Sequence, residues 1–391
     1  MPITRNRVIY AGTTVLMSDY PSWYNQTGDY SLKLLKRIQS SSISISNPVS
    51  RAKQIGSSAF AYEKYITQPE IGVNLSYLIS DNSNELIMGL NATGNESILK
   101  NFASTGRDGN MFFVLSDYDG QDANSLTLLT GLDVFSVGNT FLNTYNLKAD
   151  VGSVPVASAS FSALNMTFQT YTGFSSSGPY LLGGSQIPAI VLPSGTKATG
   201  SYALSSSNLD TTNYLSNQDS RPSALRPGDI AMELEQPIMG GIRYSGTVPA
   251  TITSFEVNVP IDRKDLVGFG SNYPYDKKVM YPVIGTLSFN GTFDEPVTGD
   301  FSNIFLDENN YDFTFNLLKN DGTTGLRVEV LDARVESQSF DLSIGNNMTF
   351  QSQFSFKIFQ EDGLRISGAA RLGSNLSTTI ENTINNIISI L

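Results

Sequence analysis

The strongest constraint on the fold of this chain is a β-strand pattern that occurs twice in its sequence. A run of alternating apolar and polar residues begins at Ile38 and continues towards Gly56, and a similar run begins at Ile252 and continues towards Gly270. The residues matched 214 positions apart are Ile38 and Ile252, Ser40 and Ser254, Ile43 and Val257, Ile45 and Val259, Gly56 and Gly270, Ser57 and Ser271, and Lys64 and Lys278. Alternation at period two indicates strands with one buried face.

Later parts of the two halves match at smaller separations. Leu75–Tyr77 matches Leu287–Phe289 at 212 positions, and Met111–Leu115 matches Phe313–Leu317 at 202. The last matches, 190 positions apart, are Val154 and Ile344, Leu164 and Phe354, Met166 and Phe356, and Phe168 and Ile358. Because the separation only decreases, the pattern favours two copies that differ by loop deletions over the generic likeness of alternating strands. Duplicated units predict that one chain fills two equivalent places in a symmetric assembly.

The amino-acid composition excludes several common kinds of catalytic site. The chain contains no cysteine and no histidine, which excludes disulfides, Cys/His zinc sites, cysteine nucleophiles and histidine-dependent triads. Glu233 and Glu235 share one face of a strand rather than facing each other from two strands. Asp117–Gly120 lacks the glutamate that ends a calcium loop, so a plain turn is favoured there. We therefore predict no enzyme, no metal site and no cofactor.

The charge and hydropathy of the chain argue against nucleic acid and membrane as binding partners. The chain has 36 acidic and 25 basic residues, a formal net charge of −11, which opposes non-specific attraction to nucleic-acid phosphate. No run approaches the roughly 18 apolar residues of a membrane helix. Residues 1–7 open without the apolar core of a secretory signal. We predict no membrane insertion.

The patterns divide the chain into four parts. We predict a first β domain over residues 1–172, a turn-rich connector or extended arm over 173–227, a second β domain over 228–373 and a helix over 374–391. A hairpin is predicted in the second domain, with strands Val335–Ile344 and Met348–Phe359. A short helix is predicted in the first domain over Asn95–Phe102.

The final segment has helical periodicity, with Thr378 and Glu381 placed as a capping box. Its apolar stripe consists of Leu376, Ile380, Ile384, Ile387, Ile388 and Leu391. A helix with such a stripe buries it against another surface. The sequence leaves two surfaces open, one on the same chain and one on a neighbouring subunit.

Two features resemble the tail tube (major tail) proteins of long-tailed bacteriophages. The hairpin from Arg334 to Ile358 is similar to the closing strands of that family. The polar segments Ile55–Tyr65 and Phe269–Val279 resemble the long hairpin loop that follows its second strand. The longer first unit, the connector and the C-terminal helix depart from the family pattern, and leave open a main tube subunit or a ring at a tube end.

The resemblance implies a mainly β fold of two tandem β-sandwich or half-barrel domains, each with a short flanking helix. It implies homotrimeric, pseudo-hexameric rings that stack into a hollow tube for DNA passage without specific DNA binding. It also implies tape-measure, tail-terminator and baseplate partners, location in the virion, and assembly in the host cytoplasm. The ring-stacking residues would be Gly56, Ser57, Lys64, Gly270, Ser271 and Lys278.

Other functions remain open at this point. One is a different ring of the phage particle, in the neck, baseplate or tube end, or a capsid decoration protein. Another is a carbohydrate- or receptor-binding β-sandwich, with Trp23 and its neighbouring tyrosines as the binding site. The acidic balance fits a negative lumen that repels DNA phosphate, and it also fits a protein kept dispersed by its charge.

Overall fold

The mainly β fold class is confirmed, with most strands joined in one large antiparallel sheet. The structure is a computed structural model. It describes residues 13–18, 32–46, 49–56, 58, 60–65, 70–90, 97–100, 109–116, 132–170, 230–234, 251–266, 276–292, 310–318, 324–341, 349–359 and 363–368. The predicted connector at 173–227 and the predicted helix at 374–391 lie outside these residues.

The strands of the first half of the chain are β1 (Thr13–Ser18), β2 (Leu32–Leu34), β3 (Ile38–Ser46), β4 (Val49–Lys53), β5 (Phe60–Tyr65), β6 (Glu70–Leu78), β7 (Gly109–Ser116), β8 (Leu132–Asp150) and β9 (Val156–Thr170). Those of the second half are β10 (Ile230–Leu234), β11 (Thr251–Pro260), β12 (Arg263–Leu266), β13 (Asp276–Val279), β14 (Val283–Thr292), β15 (Tyr311–Leu318), β16 (Thr324–Asp341), β17 (Thr349–Ile358) and β18 (Leu364–Gly368). The helix α1 spans Ser83–Met88.

Alternating side chains turn these segments into strands with one buried face. In β15, every second residue from Tyr311 onwards is buried, and β17 follows the same rule from Phe350 to Ile358. The buried aromatic rings pack closely: Phe289 stacks on Phe354 with 5.5 Å between ring centroids, and Phe313 meets Phe354 edge-on at 4.6 Å. Such contacts add to the hydrophobic free energy of burial.

The strand pairings of the first half recur in the second half. The first half pairs β3 with β6, β6 with β9, β9 with β8, β8 with β7, and β7 with β1. The second half pairs β11 with β14, β14 with β17, β17 with β16, β16 with β15, and β15 with β10. Each half also has a separate two-stranded ribbon, β4–β5 in the first and β12–β13 in the second.

Irregularities in the ladders recur at the same places. An extra residue lies in β3 between Ile38 and Ser40, and another lies in β11 between Ile252 and Ser254, 214 positions later. The ladder of β8 with β9 shifts between Leu142 and Thr144, and that of β16 with β17 shifts between Val335 and Ser337, 193 positions later. The ladder of β7 with β8 shifts between Gly109 and Met111, and that of β15 with β16 shifts between Tyr311 and Phe313, 202 positions later. A bulge interrupts strand pairing at a defined residue. Matching bulges therefore show which residue of the first half is equivalent to which residue of the second half.

These bulges correct two of the separations read from the sequence. Tyr77 pairs with Ile38 and Gly291 pairs with Ile252, so β6 and β14 are 214 positions apart and not 212. The bulge positions place β8 and β16, and the first part of β9 and β17, at 193 and not 190. The separation of 202 between β7 and β15 stands.

One strand of the first half, β9, corresponds to two strands of the second half, β17 and β18. Val137 pairs with Met166 in β9, whereas the equivalent Val330 pairs with Leu364 in β18. The separation rises there from 193 to 198, because residues 359–363 are inserted between β17 and β18. Gly363 has a φ of 104°, and a Cβ there would lie 2.5 Å from the carbonyl oxygen of Lys357, so position 363 requires glycine.

Local predictions met mixed outcomes. β16 and β17 pair as the predicted hairpin does, while its turn lies outside the described residues. Of the helix predicted over Asn95–Phe102, only residues 97–100 are described: Ile98 and Leu99 lie in a turn and are buried, and Lys100 is helical. A helix that was not predicted spans Ser83–Met88. The polar segment Ile55–Tyr65, which resembles a hairpin loop, includes strand β5 of the ribbon β4–β5.

Candidate assembly interface

The two halves of the chain join edge to edge. β8 of the first half pairs antiparallel with β11 of the second, from Thr144 opposite Pro260 to Asp150 opposite Ser254. Two further backbone hydrogen bonds extend the ladder: Val151 N–H donates to the Thr253 oxygen at 2.8 Å, and Ile261 N–H donates to the Asn143 oxygen at 2.6 Å. The junction is therefore a continuous strand pairing and not a flexible tether.

Side chains reinforce the junction. The amide of Asn146 donates to the Glu256 carboxylate at 2.6 Å. The Arg263 guanidinium donates through Nε to the Leu142 oxygen at 3.0 Å and lies over the Phe141 ring, 5.2 Å from its centroid. A cation above an aromatic face is attracted by the ring quadrupole. Arg263 lies at the start of the ribbon β12–β13, so it fastens a ribbon of the second half to the first half.

The two strands of the junction are buried on their inward face. On β11, Val257 is 1% exposed and Val259 is 0% exposed. On β8, Tyr145, Leu147 and Ala149 are each 0% exposed. Edge strands that acquire a partner lose the row of open N–H and C=O groups that otherwise invites pairing with another chain.

The equivalents of these two strands have no such partner among the described residues. β3, the equivalent of β11, pairs only with β6 along its length, and the last part of β16, the equivalent of the joined part of β8, pairs only with β17. Ile45 is 54% exposed where its equivalent Val259 is fully buried. Residues Ser337 and Ser339 of β16 are exposed. Among the described residues, the edges of β8 and β11 are therefore joined to each other. The equivalent edges of β16 and β3 are open.

A buried polar cluster fixes the open strand β3 to the core. Arg37, with a φ of 60°, precedes β3 and forms an ion pair with Asp81, with 2.9 Å between Nη2 and Oδ1. Arg37 Nε also donates to the Leu78 oxygen at 3.0 Å. Burial alone raises the pKa of Asp81, but the Arg37 charge and the hydrogen bonds from Arg37 and Ser83 outweigh it and lower that pKa to about 2.

A second carboxyl, Glu85 of α1, lies deeper. It accepts hydrogen bonds from the Tyr77 hydroxyl at 2.7 Å and the Tyr145 hydroxyl at 3.0 Å, so it ties β6 to the junction strand β8. Burial raises the pKa of Glu85, and the two tyrosine hydroxyls act against that rise. Glu85 is 0% exposed and both tyrosines are buried, so these contacts hold α1, β6 and β8 together inside the core.

Of the residues predicted to stack rings, Gly56, Lys64 and Lys278 are described, and each lies in or next to one of the two ribbons. Gly56 lies just after β4 with a φ of 86° and open space around its missing Cβ, beside Ile55, whose side chain is fully exposed. Lys64 lies in β5 opposite Ser50, and Lys278 lies in β13 opposite Lys264. Ser57, Gly270 and Ser271 lie outside the described residues, as do Trp23, Asp117–Gly120 and the six residues of the C-terminal stripe. Glu233 lies in β10, and its side chain lies outside the described part of the chain.

Sequence reasoning missed the strand edges at 144–150 and 337–341. The second segment lies in the strand predicted over Val335–Ile344, but alternation shows only which face of a strand is buried and does not show which strand lies beside it.

No protein-family model matches the chain, and no curated protein matches its sequence. Among solved structures, the tube-terminating cap of the anti-feeding prophage is similar to this chain with a TM-score of 0.25 and 13% identity, over 36% of this chain and 89% of that one. The tail of an empty gene transfer agent particle, with C6 symmetry, gives a TM-score of 0.24 and 15% identity over 38% and 100%. The anti-feeding prophage baseplate gives 0.24 and 12% over 36% and 91%.

Within the described ranges, no helix is long and apolar enough to span a membrane.

Proposed function

We propose that this protein is a structural, non-enzymatic component of a phage tail-type particle, in which copies of the chain form rings that stack into a hollow tube. The two halves would be copies of one ancestral β unit, at about residues 1–172 and 228–373. Three chains would then supply six equivalent units to each ring. DNA would pass through the tube without specific binding, and tape-measure, terminator and baseplate proteins would contact its ends.

The observation that carries this proposal is the junction of β8 with β11. Two units with one pairing plan, and with bulges at the same places, are joined by their edges within one chain. The joined edges are of different kinds, so the contact is heterologous, and repetition of a heterologous contact gives a closed ring or an open filament. A protein built in this way is already a two-unit segment of such an assembly.

The ribbons are proposed to contact neighbouring units. The ribbon β12–β13 lies beside a cleft of about 370 Å³ against the first half, where Asp265 and Lys277 face Ser44 and Gly72 of β3 and β6. The bases of the ribbons would thus serve contacts within a ring. Their tips, near Gly56 and Gly270, would serve contacts between stacked rings.

Electron microscopy and sedimentation of the purified full chain test the function. We expect rings with sixfold appearance, a particle mass three times the chain mass of 42.5 kDa, and stacked tubes at higher concentration. Rings that never stack would replace the tube with a neck or tube-end ring. A monomer at every concentration, with retained β-sheet circular dichroism, would overturn the proposal.

A further inference from the structure

We propose that the open end of β16 pairs antiparallel with β3 of a second copy of this chain, with Ser337 opposite Ser46, Ser339 opposite Ser44, and Asp341 opposite Ser42. This inference deepens the proposed ring-forming function and rests on it, because it names the strand contact by which one chain binds the next. The partner is this chain itself.

The register follows from the junction inside the chain. Asn146 of β8 lies opposite Asn258 of β11. The equivalent of Asn146 in β16 is Ser339, 193 positions later, and the equivalent of Asn258 in β3 is Ser44, 214 positions earlier. If units in neighbouring chains meet as the two halves of one chain do, Ser339 lies opposite Ser44. The other pairs follow by moving along the two strands in opposite directions.

Exposure supports this contact independently of the register. Val257 and Val259 are buried in the junction, whereas their equivalents on β3 are only half-buried at Ile43 and 54% exposed at Ile45. Apolar residues at the inward positions of an edge strand lose contact with water when another strand pairs with that edge. β16 shows the same contrast, since Ser337 and Ser339 are exposed while their equivalents Thr144 and Asn146 are half-buried. Gln338 is likewise half-buried, whereas its equivalent Tyr145 is buried.

The polarity of the contact determines the shape of the assembly. Among the described residues, each chain has one open edge of the β3 kind and one of the β16 kind, so the contact runs from one chain to the next in one direction. Such a contact closes into a ring when a whole number of rotations from unit to unit makes a full turn. Because the two edges differ, it does not form a symmetric dimer. In a ring of three chains, three junctions within chains would alternate with three contacts between chains, which gives six contacts in all.

The backbone bonds at the junction select the best pair for a chemical test. Val151 bonds to Thr253 and Ile261 bonds to Asn143, and these are directly opposite residues with odd numbers. Pairs exchanging backbone bonds alternate with pairs that do not, so Asn146 and Asn258 form a pair of the second kind. Their Cα atoms are then about 4.5 Å apart, which is within the range that a disulfide spans.

Disulfide trapping tests the contact, since the natural chain has no cysteine. The variant Ser44→Cys with Ser339→Cys is expected, on mild oxidation, to change from a single monomer band to bands at two and three chain masses on non-reducing gels. Dithiothreitol should restore the single band. Each single variant should give no band above a dimer, and the dimer band should be weak.

Two matched variants calibrate the result. Ser44→Cys with Gln338→Cys shifts one cysteine by one residue, which places the two on opposite faces of the paired strands, and we expect no linkage. Asn146→Cys with Asn258→Cys is the equivalent pair inside one chain. It should lose its free thiols without any increase in mass, which shows that this strand geometry accepts a disulfide.

The outcomes separate this contact from the tube function. Linked trimers without tubes would support the strand pairing and overturn the stacking function. Tubes or rings without linkage, while the Asn146–Asn258 control closes, would overturn the strand pairing alone. Loss of both thiols at monomer mass would show that the two edges meet within one chain, and persistent free thiols in the monomer would show that another segment covers them. Either result overturns the proposal.

Discussion

Asp81 remains charged in a buried setting because Arg37 supplies the opposite charge and two hydrogen bonds. The pair joins the residue before β3 to the turn after β6, so it fixes the strand whose outer edge is open. Removing one partner of a buried pair leaves the other charge uncompensated, which typically costs about 3–5 kcal/mol.

The first prediction is that Asp81→Asn destabilises the chain most at neutral pH. The pKa of Asp81 falls from 3.8 to about 2 on folding, so its contribution is fully present above pH 3.8 and is lost as the pH falls through about 2. This linkage corresponds to about 2 kcal/mol. Urea unfolding at several pH values should show the wild type and Asp81→Asn converging as the pH approaches 2.

The control for this prediction is Asp150→Asn. Asp150 pairs with Lys148 at 3.2 Å, but its side chain is 39% exposed, so we expect a change of less than about 1 kcal/mol. Glu85 titrates in the opposite sense, since its raised pKa means that its burial favours the protonated form. The Asp81 charge is the smallest cause of that rise, so Asp81→Asn also lowers the pKa of Glu85 slightly, and this small effect is part of the difference. A wild-type and variant difference that is constant with pH would contradict the role of the Asp81 charge.

Two equivalent pairs have exchanged their large and small members. In the first half Ile71 lies opposite Ala163, and at the same ladder position in the second half Gly285 lies opposite Phe356. A Cβ at Gly285 would lie 2.5 Å from the Phe356 ring. The ring thus occupies the space that a side chain at position 285 would need, and total volume is conserved across the pair.

The second prediction concerns this exchange. Gly285→Ile alone should destabilise by about 1–3 kcal/mol through overpacking, and Phe356→Ala alone by about 3–5 kcal/mol through a cavity. The double variant restores the arrangement of the first half and should be less destabilised than the sum. Thermal unfolding of a double-mutant cycle measures the coupling. Val15→Ala, several strands away in β1, should instead be additive with Gly285→Ile, and additivity in both cycles would refute the exchange.

At the scale of elements, the ribbon β4–β5 stands apart from the main sheet and ends near an exposed apolar residue. Ile55 makes no contribution to the core, since its side chain is fully exposed. A single exposed apolar residue is common on protein surfaces, but one on a ribbon that stands apart from the main sheet is accessible to another molecule. Under the proposed function that molecule is the adjacent ring.

The third prediction is that Ile55→Asp leaves the fold and the rings intact and shortens or abolishes the tubes. Ile55→Leu, which keeps the apolar surface, should retain tubes of normal length. Circular dichroism checks the fold, and electron microscopy with sedimentation measures rings and tubes. Normal tubes from Ile55→Asp would remove the ribbon tip from the stacking contact, while loss of rings would place it in the contact within a ring.

At the scale of the whole molecule, the C-terminal stripe remains a prediction for an inter-subunit helix. We expect Ile384→Asp with Ile387→Asp to leave the thermal midpoint of the chain nearly unchanged and to weaken ring formation. Two charges added off the stripe, Asn382→Asp with Asn385→Asp, match the change in charge and should have no such effect. Sedimentation velocity measures the ring fraction. A large fall in the thermal midpoint without altered assembly would place the helix on its own chain.

The sequence predicts the architecture of the molecule well where the signal is local. Alternation from Ile252 to Val259 identifies β11, and the apolar residues from Phe350 to Ile358 identify β17, because the side chains of a strand alternate between its two faces. The error of two residues in aligning β6 with β14 has the same origin. A shift of two keeps every residue on its own face, so alternation does not detect it.

The error of three residues in β9 has a different cause. The apolar residues of β9 change phase between Ala163 and Leu164, and the equivalent residues of the second half are divided between β17 and β18. The sequence alignment joined Met166 to Phe356, whereas the ladders make Met166 equivalent to Leu364. An insertion within a strand is not visible in a pattern that continues on both sides of it.

The sequence by itself determined that the chain is mainly β, because the alternation of buried and exposed residues is visible along each strand. It also excluded disulfide and histidine chemistry, because the chain contains no cysteine and no histidine. Tertiary structure alone decided which strands are neighbours, where the bulges lie, and that β8 of one half joins β11 of the other. Strand pairing connects residues more than a hundred positions apart through backbone groups that every residue carries. No side-chain pattern along the chain specifies that choice.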